Sequence, residues 1–250
     1  MDIQPASRGA QLVGWLVHLY TMSGAVLALL MVHFAYQGEV TTVLWLFLAS
    51  MVVDGTDGFA ARHFHVKTVV PSLDGALLDN IVDYLTYAFA PMVLLWANGY
   101  LPDGAWGGVL AAAPLVASCF QFCRSDAKTD DHFFLGFPSY WNVAAFYVIV
   151  LEFGTTATTV LLVALTILVF VPVKYVYPSR TLDLWWFNMS MASAWLLLFG
   201  LITWTLPDAS LPLILVSLVY PAIYLVESLW LTGKTAKTAV SNRRDARRQG

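Results

Sequence analysis

The sequence predicts an all-α polytopic membrane protein with about eight transmembrane helices and with both termini in the cytoplasm. Three observations lead to this prediction. Only 12% of the 250 residues are charged and 59% are hydrophobic, whereas a soluble domain carries about 25% charged residues. Apolar stretches that are long enough to cross about 30 Å of hydrocarbon as helices recur along the chain. The polar breaks between these stretches fall into a basic set and a set without Lys or Arg.

Eight apolar spans are predicted, and together they fill most of the chain. They cover residues 12–36, 40–61, 74–97, 105–124, 139–152, 156–173, 184–205 and 211–231. All 13 Lys and Arg residues fall in the termini or at the breaks after spans two, four and six. The other breaks carry acidic residues but no basic one. By the positive-inside rule, the termini and the basic breaks lie in the cytoplasm.

The whole chain, residues 1–250, is predicted to form one transmembrane domain, without an internal repeat. Residues 232–250 are polar and basic, and they are expected to form a cytoplasmic tail. A chain of this composition is expected to contact membrane lipids and not nucleic acid.

Four carboxylates cluster at the cytoplasmic ends of spans two and three. Asp54 and Asp57 lie three residues apart, and Asp79 and Asp83 lie four residues apart. Residues at these separations share one helix face, so a hairpin of the two helices can turn both pairs toward each other. Carboxylates gathered in this way repel each other, and a hard divalent cation such as Mg²⁺ or Mn²⁺ neutralises an oxygen-rich site. Ionisable residues inside a membrane segment indicate function.

Small residues and one cation accompany the carboxylates. Gly58, Ala61 and Gly75 permit the close approach of a backbone or of a bulky ligand. Arg62 offers a planar guanidinium group that suits phosphate. Together with divalent metal, these residues predict a pocket for a nucleotide diphosphate. The alternative is a set of helix-end charges solvated at the interface, which is ordinary for one Asp but does not account for four on two facing stripes.

The same residues resemble a known family signature. The run Asp54-x-x-Asp57-Gly58-x-x-Ala61-Arg62, followed by Gly75-x-x-x-Asp79-x-x-x-Asp83, is similar to the motif of the CDP-alcohol phosphotransferases. Members of this family join an alcohol to a CDP-activated partner and release CMP. The resemblance implies two divalent ions, Mn²⁺ or Mg²⁺, held by Asp54, Asp57, Asp79 and Asp83. It also implies that Asp83 is the catalytic base and that the CDP site is lined by Asp54, Gly58, Ala61, Arg62 and Gly75.

Departures from the usual motif narrow the resemblance. Twelve residues, 63–74, separate Arg62 from Gly75, which is more than is usual in the family. This spacing, the Gly55 that follows Asp54, and the eight spans are similar to the branch that transfers a phosphatidyl group from CDP-diacylglycerol to choline. The resemblance implies these two substrates and a place in the bacterial inner membrane, with the active site at the cytoplasmic face. It leaves a homodimer possible, because members are often dimers.

Choline carries a quaternary ammonium group, which aromatic faces and a nearby carboxylate recognise. Tyr87 lies one helical turn beyond Asp83, and two tyrosines and an acid share one face of span eight. The predicted choline site consists of Tyr87, Tyr220, Tyr224 and Glu227, with Tyr140 and Trp141 as weaker candidates. A packing stripe with interfacial tyrosines is the alternative, because aromatic residues make up 14% of the chain.

Three basic residues near the cytoplasmic ends of spans four and six could hold a lipid phosphate. They are Arg124, Lys174 and Arg180. The positive-inside rule alone explains them equally well.

Two rival functions stay open at this point. A related enzyme would use serine or another alcohol as the acceptor, and the basic residues would then bind the serine carboxylate. A divalent-cation transporter would need polar residues through the full thickness of the bilayer. Here the acids crowd one end, and the apolar run "YLTYAFAPMVLLWA" follows them, so the sequence favours the enzyme.

Overall fold

The computed structural model describes residues 7–129, 131–181 and 184–249, with side chains as far as Lys234. Helices dominate this part of the chain. In order they are α1 Arg8–Tyr36, α2 Val40–His63, α3 Val66–Val69, α4 Gly75–Asp83, a π-helical turn Tyr84–Phe89, α5 Ala90–Ala97, α6 Ala105–Cys123, α7 Trp141–Val150, α8 Thr155–Phe170, α9 Trp185–Thr205, α10 Leu211–Ser217 and α11 Val219–Gln249. Two short strands are β1 Phe133–Leu135 and β2 Lys174–Val176.

The described residues form an all-α polytopic membrane architecture, in which six helical segments are long and apolar enough to cross a membrane. These segments are Arg8–Tyr36, Val40–His63, Gly75–Ala97, Ala105–Cys123, Trp185–Thr205 and Leu211–Lys234. The predicted fifth and sixth spans correspond to α7 and α8, of 10 and 16 residues. At 1.5 Å per residue they reach only about 15 and 24 Å, against about 30 Å of hydrocarbon. Eight crossings and cytoplasmic termini therefore stay predictions.

Helix α7 lies at the centre of the bundle. Nine of its ten residues are buried, and Phe146 stacks on Phe199 of α9 with ring centroids 3.9 Å apart. A helix that is apolar on every side is suited to burial on every side. The predicted fifth span thus corresponds to a short helix that is buried among other helices.

Helix α1 packs closely against both helices that carry the carboxylate motif. Gly24 of α1 lies so near Val82 of α4 that a Cβ at this position would overlap the valine side chain. Three residues earlier on α1, the Thr21 hydroxyl donates a hydrogen bond to Asp57 of α2. Small residues permit such close helix contacts. The contacts of α1 therefore hold α2 and α4 at the separation that facing carboxylates require.

A two-stranded antiparallel sheet connects the segment after α6 with the segment after α8. Phe133 pairs with Val176 and Leu135 pairs with Lys174. The sheet also docks on α11, because the Val176 N–H donates to Ser228 Oγ at 3.1 Å. Each strand has three residues, too few for an alternating pattern, so the sequence predicts polar loops here instead.

The predicted tail of residues 232–250 continues helix α11 as far as Gln249. Side chains from residue 235 onward lie outside the described residues. The single domain over 1–250 and the cytoplasmic position of the tail therefore stay predictions.

Candidate active site

Three carboxylates meet between α2 and α4. One oxygen each from Asp54, Asp57 and Asp79 lies within 4.8 Å of the other two. Asp57 is buried, and the other two are half-buried. Anionic oxygens so close together repel strongly unless a cation lies between them. Three carboxylate oxygens at a partly buried position are a donor set that fits Mg²⁺ or Mn²⁺.

Asp83 faces the same cavity but does not belong to this group of three. About 220 Å³ of non-atom space, which includes open solvent at its mouth, belongs to this cavity. Its lining comes from α1, α2, α4 and the π-helical turn, and consists of Thr21, Gly24, Ser50, Val53, Asp54, Asp57, Asp79, Val82, Asp83 and Thr86. The structure therefore brings three of the four predicted metal ligands within reach of one ion and directs the fourth into the same space.

Hydrogen bonds orient two of the three carboxylates. The Thr21 hydroxyl donates to Asp57 Oδ2 at 2.8 Å, and the Tyr87 hydroxyl donates to Asp54 Oδ2 at 2.7 Å. Partners of this kind fix the orientation of a metal ligand and leave its other oxygen free for the ion. Tyr87 thus acts on a predicted metal ligand, a contact that its spacing from Asp83 does not show.

Local structure directs α4 and the residues after it toward the cavity. The Asp74 carboxylate caps the helix by accepting hydrogen bonds from Ala76 N and Leu77 N at 3.0 and 3.1 Å, as N-cap residues do. Directly after Asp83 the chain widens into the π-helical turn that carries Tyr87. Such turns occur frequently at functional sites. This turn changes the helix phase between the predicted base and the tyrosine that holds Asp54.

The residues predicted to line a CDP site are placed on two helices. A Cβ at Gly58 would lie 3.2 Å from the guanidinium of Arg62, and a Cβ at Gly75 would lie 3.2 Å from the ring of His18. The Arg62 guanidinium also lies 4.7 Å from the centre of the Phe59 ring. Ala61, half-buried, precedes Arg62 on α2. Gly58 therefore leaves space beside the Arg62 guanidinium, and Gly75 leaves space beside the His18 imidazole.

Lys128 is a further cation at the carboxylates, and no sequence motif indicates it. Its ammonium lies 3.8 Å from Asp79 Oδ2 and 5.9 Å from the centre of the Tyr177 ring. Its charge also acts on Asp54 and Asp83. Burial raises the pKa of Tyr177, and the nearby Lys128 opposes this shift, so the phenol stays protonated at neutral pH.

Four tyrosines, here called the aromatic wall, lead from the carboxylates to α11. Ring centroids are 5.9 Å apart between Tyr87 and Tyr140, 6.3 Å between Tyr140 and Tyr224, and 6.4 Å between Tyr224 and Tyr220. Tyr140, a weaker candidate by sequence, is the central member. Trp141 instead packs in the core, where its indole N–H donates to Ser118 Oγ at 2.7 Å.

Glu227 is buried on α11 and interacts electrostatically with Tyr220. Its Oε1 accepts a hydrogen bond from the Asn188 amide of α9 at 3.0 Å. Within the part of the chain that the structure describes, Glu227 Oε2 and the Tyr220 hydroxyl have no hydrogen-bond partner. A buried polar atom of this kind calls for a ligand, a water molecule or an ion.

Two of the three predicted phosphate-binding cations are paired with acids. Arg124 donates to both oxygens of Asp126 at 2.6 and 2.7 Å, and this hydrogen bonding lowers the pKa of Asp126. Lys174 forms an ion pair with Asp131. Arg180 lies close enough to Arg62 for the two charges to interact, so it lies on the same side as the CDP residues.

Comparison with known proteins agrees with this site. A family model described as CDP-alcohol phosphatidyltransferase matches residues 16–202. The chain is similar to the phosphatidylcholine synthase of Legionella pneumophila, with 42% identity over 70% of this chain and 69% of the relative. It is 48% identical to that of Legionella bozemanae over 58% of this chain and 67% of the relative. It is 38% identical to the phosphatidylcholine synthase of Pseudomonas aeruginosa over 80% of this chain and 84% of the relative.

We expect Thr21→Val to weaken divalent-metal binding, because the valine removes the hydrogen bond that orients Asp57 but keeps the side-chain volume. Removal of such a partner lowers metal affinity by about 10- to 100-fold. Titration of the purified protein with Mn²⁺, followed by electron paramagnetic resonance of the free ion, measures the change. Thr56→Val is the matched control, since this threonine bonds to Tyr20 away from the carboxylates. Equal Mn²⁺ affinity in the two variants would contradict the prediction.

Proposed function

Because the chain belongs to the CDP-alcohol phosphatidyltransferase family, we propose that it transfers the phosphatidyl group of CDP-diacylglycerol to choline and releases CMP. Relatives that are 38 to 48% identical and bear the name phosphatidylcholine synthase support this choice of acceptor. The structural observation that carries the proposal is the three-carboxylate group, which faces a cavity shared with Asp83.

The donor diphosphate is proposed to bind beside the carboxylates. Asp54, Asp57 and Asp79 offer oxygen donors to Mg²⁺ or Mn²⁺, and Asp83 is proposed to complete a site for two ions. When bound, these ions supply positive charge that stabilises the diphosphate and its leaving phosphate. Arg62 donates hydrogen bonds to a phosphate oxygen, while Gly58, Ala61 and Gly75 leave space for the cytidine.

Asp83 is proposed to be the general base. It lies one helical turn further along the span than Asp79 and lines the cavity, at the depth proposed for the lipid-linked phosphorus. The carboxylate accepts the proton of the choline hydroxyl while the oxygen attacks this phosphorus. The bond from phosphorus to the bridging oxygen breaks, and its electron pair leaves with CMP. A free alcohol is a poor nucleophile at neutral pH, so a base within hydrogen-bond reach is required.

The aromatic wall and Glu227 are proposed to hold the choline ammonium group. Quaternary ammonium groups cannot donate an N–H hydrogen bond and are bound by aromatic faces. Tyr87, Tyr220 and Tyr224 belong to this wall with Tyr140 at its centre. The unpartnered oxygen of the buried Glu227 supports the proposal, because a buried carboxylate without a cation is unfavourable. Serine would bring a second carboxylate to this acidic surface.

The remaining features of the proposal concern location and assembly. We infer eight crossings with both termini in the cytoplasm of a bacterium, in its inner membrane, so that the carboxylates open toward the cytoplasm where choline and CMP are dissolved. Arg180 is proposed to bind a lipid phosphate at this face. Arg124 and Lys174 are weaker candidates for this role, because each has an acidic partner. A homodimer is part of the same proposal and rests on the family resemblance.

We expect Asp83→Asn to abolish turnover, because the amide cannot accept the choline proton. The loss should be about 10²- to 10⁴-fold, with binding of CDP-diacylglycerol largely retained. Phosphatidylcholine formed from labelled choline, CDP-diacylglycerol and Mn²⁺ is the measurement, with labelled serine in a parallel reaction and Asp103→Asn as the control variant. Normal turnover in Asp83→Asn would remove this residue from the mechanism, and incorporation of serine instead of choline would replace the proposed acceptor.

We expect Glu227→Gln to raise the KM for choline by about tenfold, since it keeps the shape of the side chain and removes the charge facing the ammonium. The neutral isostere 3,3-dimethylbutan-1-ol has no charge to recognise, so its KM should not change. Glu39→Gln, an exposed acid on a connection between spans, is the matched control. A choline KM equal to that of the control, or an equal rise for both alcohols, would exclude charge recognition by Glu227.

A further inference from the structure

We propose that Lys128 is a further catalytic residue, whose ammonium group binds the phosphate that leaves with cytidine. This inference rests on the proposed function, because it requires a CDP-activated donor at the carboxylates. Lys128 has no place in the carboxylate motif, from which it is separated by α5 and α6. The structure alone brings it to the site.

Backbone contacts hold Lys128 over the carboxylates. Residues 127–129 lie antiparallel to residues 133–135, and these two segments are here called the hairpin: the Leu135 N–H donates to the Ala127 carbonyl and the Thr129 N–H donates to the Phe133 carbonyl, both at 2.9 Å. Lys128 is paired with Phe134 between these bonds. Backbone pairing therefore fixes the position from which the Lys128 side chain extends toward the carboxylates.

Aromatic contacts fasten this hairpin to the wall of the site. The Phe134 ring stacks on Tyr177 with centroids 4.4 Å apart and lies at right angles to Tyr140, 6.4 Å away. β1 then pairs with β2, which leads directly to Tyr177. Lys128 therefore extends from a segment that packs against Tyr140 of the aromatic wall.

The contact with Asp79 is loose enough to leave the ammonium available. The distance of 3.8 Å exceeds that of a hydrogen bond, which is about 2.7–3.2 Å. The Lys128 side chain is also 46% exposed. If Asp79 served only as its ion-pair partner, a shorter contact would be expected, as is found between Lys174 of β2 and Asp131.

Charge balance indicates what the ammonium binds. Two divalent ions would neutralise the four carboxylates in formal charge, so a lysine beside Asp79 would then face metal. A donor diphosphate adds one negative charge on each phosphate. Lys128 and Arg62 supply two cations to meet them, and opposite charges in a partly buried site attract strongly.

The depth of the residues assigns Lys128 to the leaving phosphate. The lipid-linked phosphorus is proposed to lie near Asp83, and Asp79 lies one turn closer to the start of the helix, on the side of the hairpin. The cytidine-linked phosphate therefore lies beside Lys128. This phosphate gains a negative charge when the phosphoanhydride bond breaks, so a cation here stabilises the transition state more than the ground state.

The test compares Lys128→Met, which removes the charge at similar length, with Lys128→Arg, which keeps it. Lys67→Met removes an exposed lysine of α3 and is the control. We expect Lys128→Met to weaken CMP binding in the presence of Mn²⁺ and to lower kcat, each by about 10- to 100-fold. Lys128→Arg should retain most of both, and Lys67→Met should match the unaltered protein.

Measurements of Mn²⁺ affinity and of thermal stability distinguish phosphate binding by Lys128 from a purely structural role. If Lys128 only neutralised Asp79, its removal would tighten Mn²⁺ binding or lower thermal stability while leaving CMP affinity unchanged, and this result would overturn the proposal. Equal losses in Lys128→Met and Lys128→Arg would also overturn it. The CMP measurement does not involve the acceptor. Weaker CMP binding in Lys128→Met, together with no transfer to choline by the unaltered protein, would therefore uphold Lys128 and refute the proposed acceptor.

Discussion

Mutual repulsion among carboxylates held inside a pair of membrane helices is the constraint on which the site depends. Asp54, Asp57 and Asp79 have oxygens within 4.8 Å of one another, at buried or half-buried positions where water screens charge less than in bulk. Close packing of α1 fixes the helices at this distance, and hydrogen bonds from Thr21 and Tyr87 hold two of the acids in place. The fold thus builds a site of concentrated negative charge that a divalent cation relieves.

The aromatic wall and the hairpin with Lys128 place different chemical groups beside the carboxylates. Tyr87 joins the aromatic wall to Asp54, and aromatic faces bind an ammonium group without hydrogen bonds. The hairpin carries Lys128, whose charge acts on Asp54, Asp79 and Asp83. Donor and acceptor would therefore approach the acids from different directions, as a displacement at phosphorus requires.

The sequence predicts the site better than its surroundings. The carboxylates could be found because residues three and four apart lie on one face of a helix. The spans could be found because long apolar stretches are typical of helices that contact lipid. Lys128 could not be found, since its position follows from its pairing with Phe134 and from the pairing of β1 with the distant strand β2. Apolar composition likewise does not show whether a helix such as α7 faces protein or lipid. The pairing of Arg124 with Asp126 and of Lys174 with Asp131 could not be predicted either, because these acids lie in loops where the sequence has no periodic pattern.

The direct test of this account is to locate a metal. Crystals of the protein with bound Mn²⁺, measured at the manganese absorption edge, would show the ion as a peak in the anomalous difference map. We predict a peak about 2.0–2.3 Å from oxygens of Asp54, Asp57 and Asp79, as for small hard cations. A peak at other residues, or none at a saturating Mn²⁺ concentration, would contradict the claim that these carboxylates form a metal centre.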